Sequence, residues 1–527
     1  MAEERKSLLY KLKPLTDRLP AVTRPEGHVH FRTKMFWVLL VLVLYFAMTN
    51  IFIYGLDKSQ TIDFFSSLRA ILAGAQGSLM HLGIGPIVTG SIIMQLFAGA
   101  KIIKLDLTDD EDKSVYQGTQ KLLVIIMIFV EAIPQVFGFL TPAAGFSGAL
   151  NNISPGNGHS LAQLLIIMQL FAGSYLVFLM DEVVSKWGIG SGISLFIAAG
   201  VAQQIFTGTF NWQTSSSGVP SGTIPKTLFY LQNLNAGQIG GGGYETILLS
   251  NPNPLIALVG TIIIFLAVAY VESTRIELPL AHGTARGARG RYPIRLMYAS
   301  NIPVILVAAV LANVSMFALL FWQHPEWPVV GRQWWIGGYP SPNDPKWSAM
   351  LTAGQIQQTT PVSGAAYYLS SINGLSDWLL PLLNPTRYDI YLKGHAYWQV
   401  ATHLVVWLGV MVIGSILFAK FWIETTNMGP EAVAKQIENS GMQIPGFRRD
   451  PRVLKRVLER YIPVVTVISG AGVGALAAGA DMIGTVGNAS GTGVLLAVGI
   501  IIQMYEAIGR EQMMEMHPML RQFFSST

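Results

Sequence analysis

Apolar residues run along the chain in blocks of about twenty, the length a helix needs to cross roughly 30 Å of hydrocarbon. Nine blocks predict plain spans: Met35 to Tyr54, Lys121 to Leu140, Leu161 to Met180, Gly190 to Phe206, Pro254 to Val271, Leu296 to Trp322, Tyr397 to Ile423, Tyr461 to Ile483 and Ser490 to Tyr505. A tenth, Leu82 to Gln95, is broken. Gly83, Gly85 and Pro86 interrupt its start, Pro86 removes a backbone donor, and Thr89 and Gln95 put polar groups at membrane depth. Ahead of it stands Ile62 to Ala73, apolar at helical spacing but too short to cross and carrying Arg69. It predicts a re-entrant or interfacial half-helix, so the second span comes in two pieces. Irregular backbone is tolerated in a membrane where protein buries it or where it lines a water-filled cavity. The break therefore marks a lining segment. Ile84 and Val88 lie four apart and share a helical face, as do Ile193 and Ile197 in the fifth span.

The polar segments set the topology. Residues 1–34 carry eight Lys/Arg, and Leu8, Leu12, Leu15 and Leu19 form a stripe broken at Pro14, which predicts a short interfacial helix. Residues 274–295 hold Arg275, Arg286, Arg289, Arg291 and Arg295 against Glu277 alone, and 424–460 hold Arg448, Arg449, Arg452, Lys455, Arg456 and Arg460. Lys101 to Gln120 reads as a polar loop whose acidic run, Asp109 to Asp112, is solvated. Residues 208–253, rich in Gly, Ser and Asn, and residues 323–396, rich in Trp, Pro and Tyr, read as external, the second as a small folded excursion. The Lys/Arg bias places both termini in the cytoplasm, in keeping with an even count of ten spans. The organisation is then a cytoplasmic segment 1–34, an N-terminal half 35–207, an external loop 208–253, a C-terminal half 254–505 and a cytoplasmic tail 506–527.

Composition narrows the class. The 527 residues are 51% hydrophobic and only 12% charged, against about a quarter charged in soluble domains. A large soluble core does not explain blocks this long and this free of charge. There is no Cys, which excludes disulfides, thiolate metal sites and cysteine nucleophiles. No small-residue cleavage pattern follows the first apolar block. No HExxH, GxSxG or nucleotide-binding loop is present, and Asp481 and His403 stand apart from any catalytic partner, so neither an enzyme nor a cofactor is indicated. Glu131 in the third span is an intramembrane carboxylate, a functional candidate by default that also reads as a helix–helix hydrogen bond. The Pro-interrupted stretch Ile84-Gly-Pro-Ile-Val88 has a counterpart in Asn301-Ile-Pro-Val-Ile305, and the pair suggests two repeats around a central site. Repeats and broken helices also fit a secondary transporter, but the proposed centre is aliphatic and offers nothing to small polar cargo.

Several stretches identify the chain as a member of the SecY family, the channel subunit of the protein translocase, in its archaeal branch. They are LGIGPIVTGSIIMQL (82–96), LMDEVVSKWGIGSGISLFIAAGV (179–201), YPIRLMYASNIPVIL (292–306), PGFRRD (445–450) and GTGVLLAVGIIIQMYE (491–506). The resemblance covers nearly all ten spans; the loops at 208–253 and 323–396 are longer than the family minimum. It implies an all-helical membrane protein of two pseudo-symmetric halves around an hourglass pore. It implies a pore ring of Ile84, Val88, Ile193, Ile197, Ile305 and Leu496, and a plug over about 62–73, with Phe64, Phe65, Ser66, Ser67, Leu68, Arg69, Ala70, Ile71 and Leu72. A lateral gate between spans two/three and seven/eight carries the polar cluster Thr89, Glu131 and Asn301. Arg286, Arg289, Arg291, Arg448, Arg449 and Arg452 lie in the loops that dock the ribosome. The implied partners are SecE/gamma-type and beta-type small subunits, the ribosome, signal sequences, nascent polypeptides and lipid, in the cytoplasmic membrane.

These roles are physically coherent. A narrow aliphatic constriction expels water and so blocks ions. Its β-branched members are stiff and offer no polar group to retain a passing chain. Basic loops suit RNA phosphates, and equally suit anionic lipid heads.

Overall fold

The computed structural model describes residues 8–516 except 28, 58–71, 100–101, 104, 106–108, 139, 215–217, 234–242, 250–252, 283–288, 296–300, 327–332, 342–343, 353–355, 387, 427, 440–441, 444–450 and 488. Ten principal helices follow the ten apolar blocks: α1 (Phe31–Asn50), α2 (Gly85–Gly99), α3 (Asp110–Gly138), α4 (Gly158–Trp187), α5 (Gly192–Phe210), α6 (Leu255–Ser273), α7 (Ile302–Gln323), α8 (Tyr397–Thr425), α9 (Pro451–Ile483) and α10 (Gly491–Met516). Among the described residues, all except α2 are long and apolar enough to cross a membrane. Their outward faces carry exposed Leu39, Val43, Ile262, Leu266, Val405, Ile413, Val464 and Ile468. In water such a surface would be an aggregation hazard; against lipid it is the ordinary exterior.

Helix α2 is short because its start is broken as the sequence predicts. Gly83 sits in the left-handed region (φ +56°), and a Cβ there would fall 2.0 Å from the Leu72 carbonyl oxygen. That closeness lets the Ile84 N–H donate to Leu72 O at 2.8 Å. The irregular stretch from Leu72 to Ile84 satisfies its backbone within the protein. Ala75 N–H donates to Met80 O (3.0 Å), Ile53 N–H to Gly77 O and Leu79 N–H to Ile51 O (both 2.9 Å). Protein partners of this kind are what non-helical backbone requires at membrane depth.

Several boundaries differ from the sequence reading. The polar loop expected over 101–120 is helical from Asp110 onward, and the acidic run opens α3, where the helix dipole favours carboxylates. Glu111 pairs with Lys13 at 3.4 Å, and Asp112 accepts the Tyr10 hydroxyl, so the run is also tied to the N-terminal segment. Asp181, Glu182 and Lys186 lie within α4, not in a loop after it, and Arg452 lies in the first turn of α9. The N-terminal segment is helical over Leu8–Leu12 and Lys13–Thr16. The basic segment 274–295 forms an antiparallel hairpin of β1 (Arg275–His282) and β2 (Arg289–Arg295). A short β3 (Met442–Gln443) from the other basic loop pairs with Ala281 and His282. One small sheet therefore joins both basic loops to an otherwise helical protein.

The two segments expected to be external are folded where described. Among its described residues, 323–396 contains four short helices and packs Tyr339 and Ala366 on Met316, Ala318 and Leu319 of α7. Residues 208–253 contain helices Thr223–Asn233 and Tyr244–Leu249. A single buried cluster runs through both halves of the bundle. The halves meet along two seams: α2 against α7 and α8, with α3 against α7, and α5 against α10 elsewhere.

Candidate functional site

The six residues expected to form the ring come from four helices and one helix start. Ile84 lies immediately before α2 and Val88 within it; Ile193 and Ile197 lie on α5, Ile305 on α7 and Leu496 on α10. Ile84, Ile197 and Leu496 are fully buried, Val88 and Ile305 nearly so, and all five belong to the central cluster, with half-buried Ile193 packed against it. Of the plug residues, Phe64 to Ile71 lie outside the described residues. Leu72 is buried, and the following Ala73 accepts the Tyr45 hydroxyl through its carbonyl at 3.2 Å.

The polar residues divide into two places. Thr89 donates its hydroxyl to Glu131 Oε1 at 2.8 Å and to the Gly85 carbonyl at 2.9 Å. Glycine makes this approach of α2 to α3 feasible: a Cβ at Gly85 would stand 2.9 Å from Glu131 Oε2, and one at Gly90 would stand 3.0 Å from Val124 Cγ2. From the other half, Asn313 Nδ2 donates to Thr89 Oγ1 at 3.3 Å. A small cavity lined by Leu72, His81, Thr89, Glu131, Gln135 and Asn313 sits at this seam. Glu131 therefore has partners on two helices.

Asn301 does not join this cluster. It stands at the start of α7, twelve residues before Asn313, or about 18 Å along a helix. It is buried against Gly499 of α10, where a Cβ would lie 1.9 Å from Asn301 Nδ2, and among the described residues neither side-chain polar atom has a hydrogen-bond partner. The third member of the cluster is Asn313. Its signal was in the sequence, as the amide in the middle of an otherwise apolar seventh span.

Of the basic residues, Arg289 and Arg291 lie on β2, opposite Ala281 and Pro279 of β1. Arg286, Arg448 and Arg449 lie outside the described residues. Because β3 pairs with β1, the chain just before the PGFRRD stretch starts from the same sheet as the hairpin. His403, on the second turn of α8, packs against segment 323–396, its Nε2 2.8 Å from Ser370 O and its ring 4.6 Å from that of Tyr367.

Comparison with known proteins bears on this arrangement. Residues 78–505 match the SecY family model, and residues 43–77 match the plug domain of Sec61p. The chain belongs to the SecY family. The protein translocase subunit SecY of Archaeoglobus fulgidus is 44% identical over 522 residues, and that of Haloferax volcanii 45% over 524; each match covers 98% of both chains. Among solved structures, a protein-conducting channel superimposes with a TM-score of 0.71 at 38% identity, covering 96% of this chain and 98% of the other. A second, with the same figures, is of a SecY protein whose plug domain stabilises the closed state and maintains a membrane seal. Sec61 from a canine ribosome–channel complex gives a TM-score of 0.69 at 38% identity over the same shares. The chain is accordingly a channel protein of the translocon and not an enzyme. The secondary-transporter alternative falls with that membership.

Proposed function

We propose that the chain conducts secretory polypeptides across the cytoplasmic membrane through a pore closed by Ile84, Val88, Ile193, Ile197, Ile305 and Leu496. What supports this reading is that five of these aliphatic side chains, drawn from both halves, belong to one buried cluster, and that Ile193 packs against it. The segment around 62–73, which falls within the match to the plug domain, closes the pore from one side. Membrane proteins leave through the seam of α2/α3 with α7/α8, where Thr89, Glu131 and Asn313 form the polar latch. The paired basic loops face the cytoplasm with both termini and dock a ribosome, the partner seen with the canine relative. Small subunits of the SecE/gamma and beta types complete the assembly, and the translating ribosome supplies the drive.

Lateral exit suits the energetics. Each Leu, Ile, Phe or Val of a signal sequence gains roughly 0.3–0.6 kcal/mol at the bilayer centre, while interhelical polar contacts in membranes average about 0.6 kcal/mol. About ten such residues outweigh a latch of a few contacts. The test is reconstitution of the full translocase into vesicles, programmed with ribosomes bearing a secretory chain. The reading expects protease-protected product inside the vesicles; product that stays fully accessible contradicts it.

A further inference from the structure

Asp181 and Asp481 are carboxylates that neither the ring nor the latch uses. Asp181 lies near the end of α4 and Asp481 near the end of α9, so each closes the span that precedes a ring-bearing helix. Asp181 Oδ1 accepts the backbone N–H of Ile193 at 2.9 Å. Asp481 Oδ1 accepts the backbone N–H of Thr492 at 2.8 Å, and its Oδ2 accepts the Thr492 hydroxyl at 2.7 Å. Ile193 and Thr492 occupy the same place, the second residue of α5 and of α10. Amides there have no partner inside their own helix, and the helix dipole favours a negative charge beside them.

The surroundings repeat as well. Each helix opens on a glycine preceded by serine, Ser191-Gly192 and Ser490-Gly491. A Cβ on Gly192 would stand 2.5 Å from Asp181 Cα, and one on Gly491 would stand 2.0 Å from the Ala480 carbonyl carbon. Each helix start is thus pressed onto the end of the preceding span with no room for a side chain. Ile197 and Leu496 each stand five residues beyond that glycine, and both are fully buried in the central cluster.

We propose that Asp181 and Asp481 are equivalent positioning residues, one in each half, that fix the height of α5 and α10 and so the level at which Ile197 and Leu496 meet the ring. The proposal rests on the pore-ring reading. A slip of one residue moves a helix about 1.5 Å along its axis. A gap of 0.5–1 Å already forfeits a quarter to a half of an apolar contact's attraction. A ring built from one or two side chains per helix depends on that register.

The test uses the full, assembled translocase and the absence of native cysteine. Cysteines are placed in pairs across the ring, Ile84 with Leu496 and Ile84 with Ile197, and joined with a short bismaleimide. Asp481→Leu is expected to lower the Ile84–Leu496 yield about tenfold, the factor for losing a hydrogen bond to a charged group, and to leave the Ile84–Ile197 yield unchanged. Asp181→Leu is expected to do the reverse. Asp→Asn, which keeps an acceptor oxygen, restores most of the yield at either site. Should a leucine variant not assemble, Thr492→Val, which removes the hydroxyl from Oδ2 and from the more distant Ala477 carbonyl but keeps the backbone N–H on Oδ1, gives a smaller loss at the Leu496 pair alone. Unchanged or uniformly lowered yields in an assembled variant overturn the proposal and leave the carboxylates as ordinary helix caps. If neither pair joins in the parent protein, the ring reading has failed and the proposal falls with it.

Discussion

At the residue scale, the latch and Asn301 make opposite expectations. Glu131 holds Thr89 at 2.8 Å, and replacing it with leucine removes the latch while leaving Thr89 its Gly85 carbonyl. With polar contacts near 0.6 kcal/mol and each central leucine near 0.3–0.6, Glu131→Leu should let signals with about two fewer leucines open the gate. An unchanged threshold across a graded set of signals would count against the latch. Among the described residues Asn301 has no hydrogen bond to lose. Asn301→Leu should leave the threshold where it is and raise the melting temperature, since a buried unpaired amide costs about 1–3 kcal/mol. His395, in the external excursion, gives a pH expectation. Burial between Lys346, Lys393 and His403, with the Tyr367 ring stacked 4.1 Å away, pushes its pKa down to about 4. The folded excursion thus holds it neutral, whereas an unfolded histidine takes up a proton near pH 6.5. The stability it permits is full above pH 6.5 and declines as the pH falls toward 4. Hydrogen exchange of residues 389–396 should quicken over that window, and His395→Gln should flatten the profile.

At the element scale, much of what the sequence hid was hidden by polarity. The start of α3 was read as a loop because its first turns stand outside the apolar stretch. There the helix is supported by its acidic start and by contacts from Tyr10 and Lys13, partners far away in sequence. The hairpin was missed for a related reason. Arg275–Leu278 alternates polar and apolar residues with the period of a strand, but the density of arginine drew the reading toward charge. By contrast, the break at Gly83 and Pro86 was legible, because a positive-φ glycine and a proline have few uses inside a span. Thr89 and Glu131 were legible as polar groups at membrane depth. The third partner was misplaced by one helical stretch, since sequence alone does not say how far α7 slides past α2. The hairpin also sharpens one expectation. If the sheet presents both basic loops together, Arg448→Glu should weaken ribosome binding and lower its salt slope by about one while the channel stays assembled. Equal affinity across a salt titration would contradict ribosome docking by this loop.

At the scale of the whole molecule, one buried cluster draws on both halves. The termini are held on the same side of the bundle: Lys34 at the start of α1 pairs with Glu511 near the end of α10 at 2.8 Å. The N-terminal segment is strapped to α4 nearby, with Val22 N–H on Glu182 at 2.8 Å and Lys186 on the Val22 carbonyl at 2.6 Å. That arrangement leaves the external segments and the seams as the parts that can rearrange without loosening the ends. Whether a polypeptide passes through the centre is the claim on which the rest depends. One cysteine at Ile197 and one in a ribosome-arrested secretory chain, followed over a series of chain lengths, addresses it directly. A disulfide should form at ring positions and not at lipid-facing Val405 or Ile413. No disulfide at any length, in a correctly assembled channel, would place the path elsewhere and contradict the account.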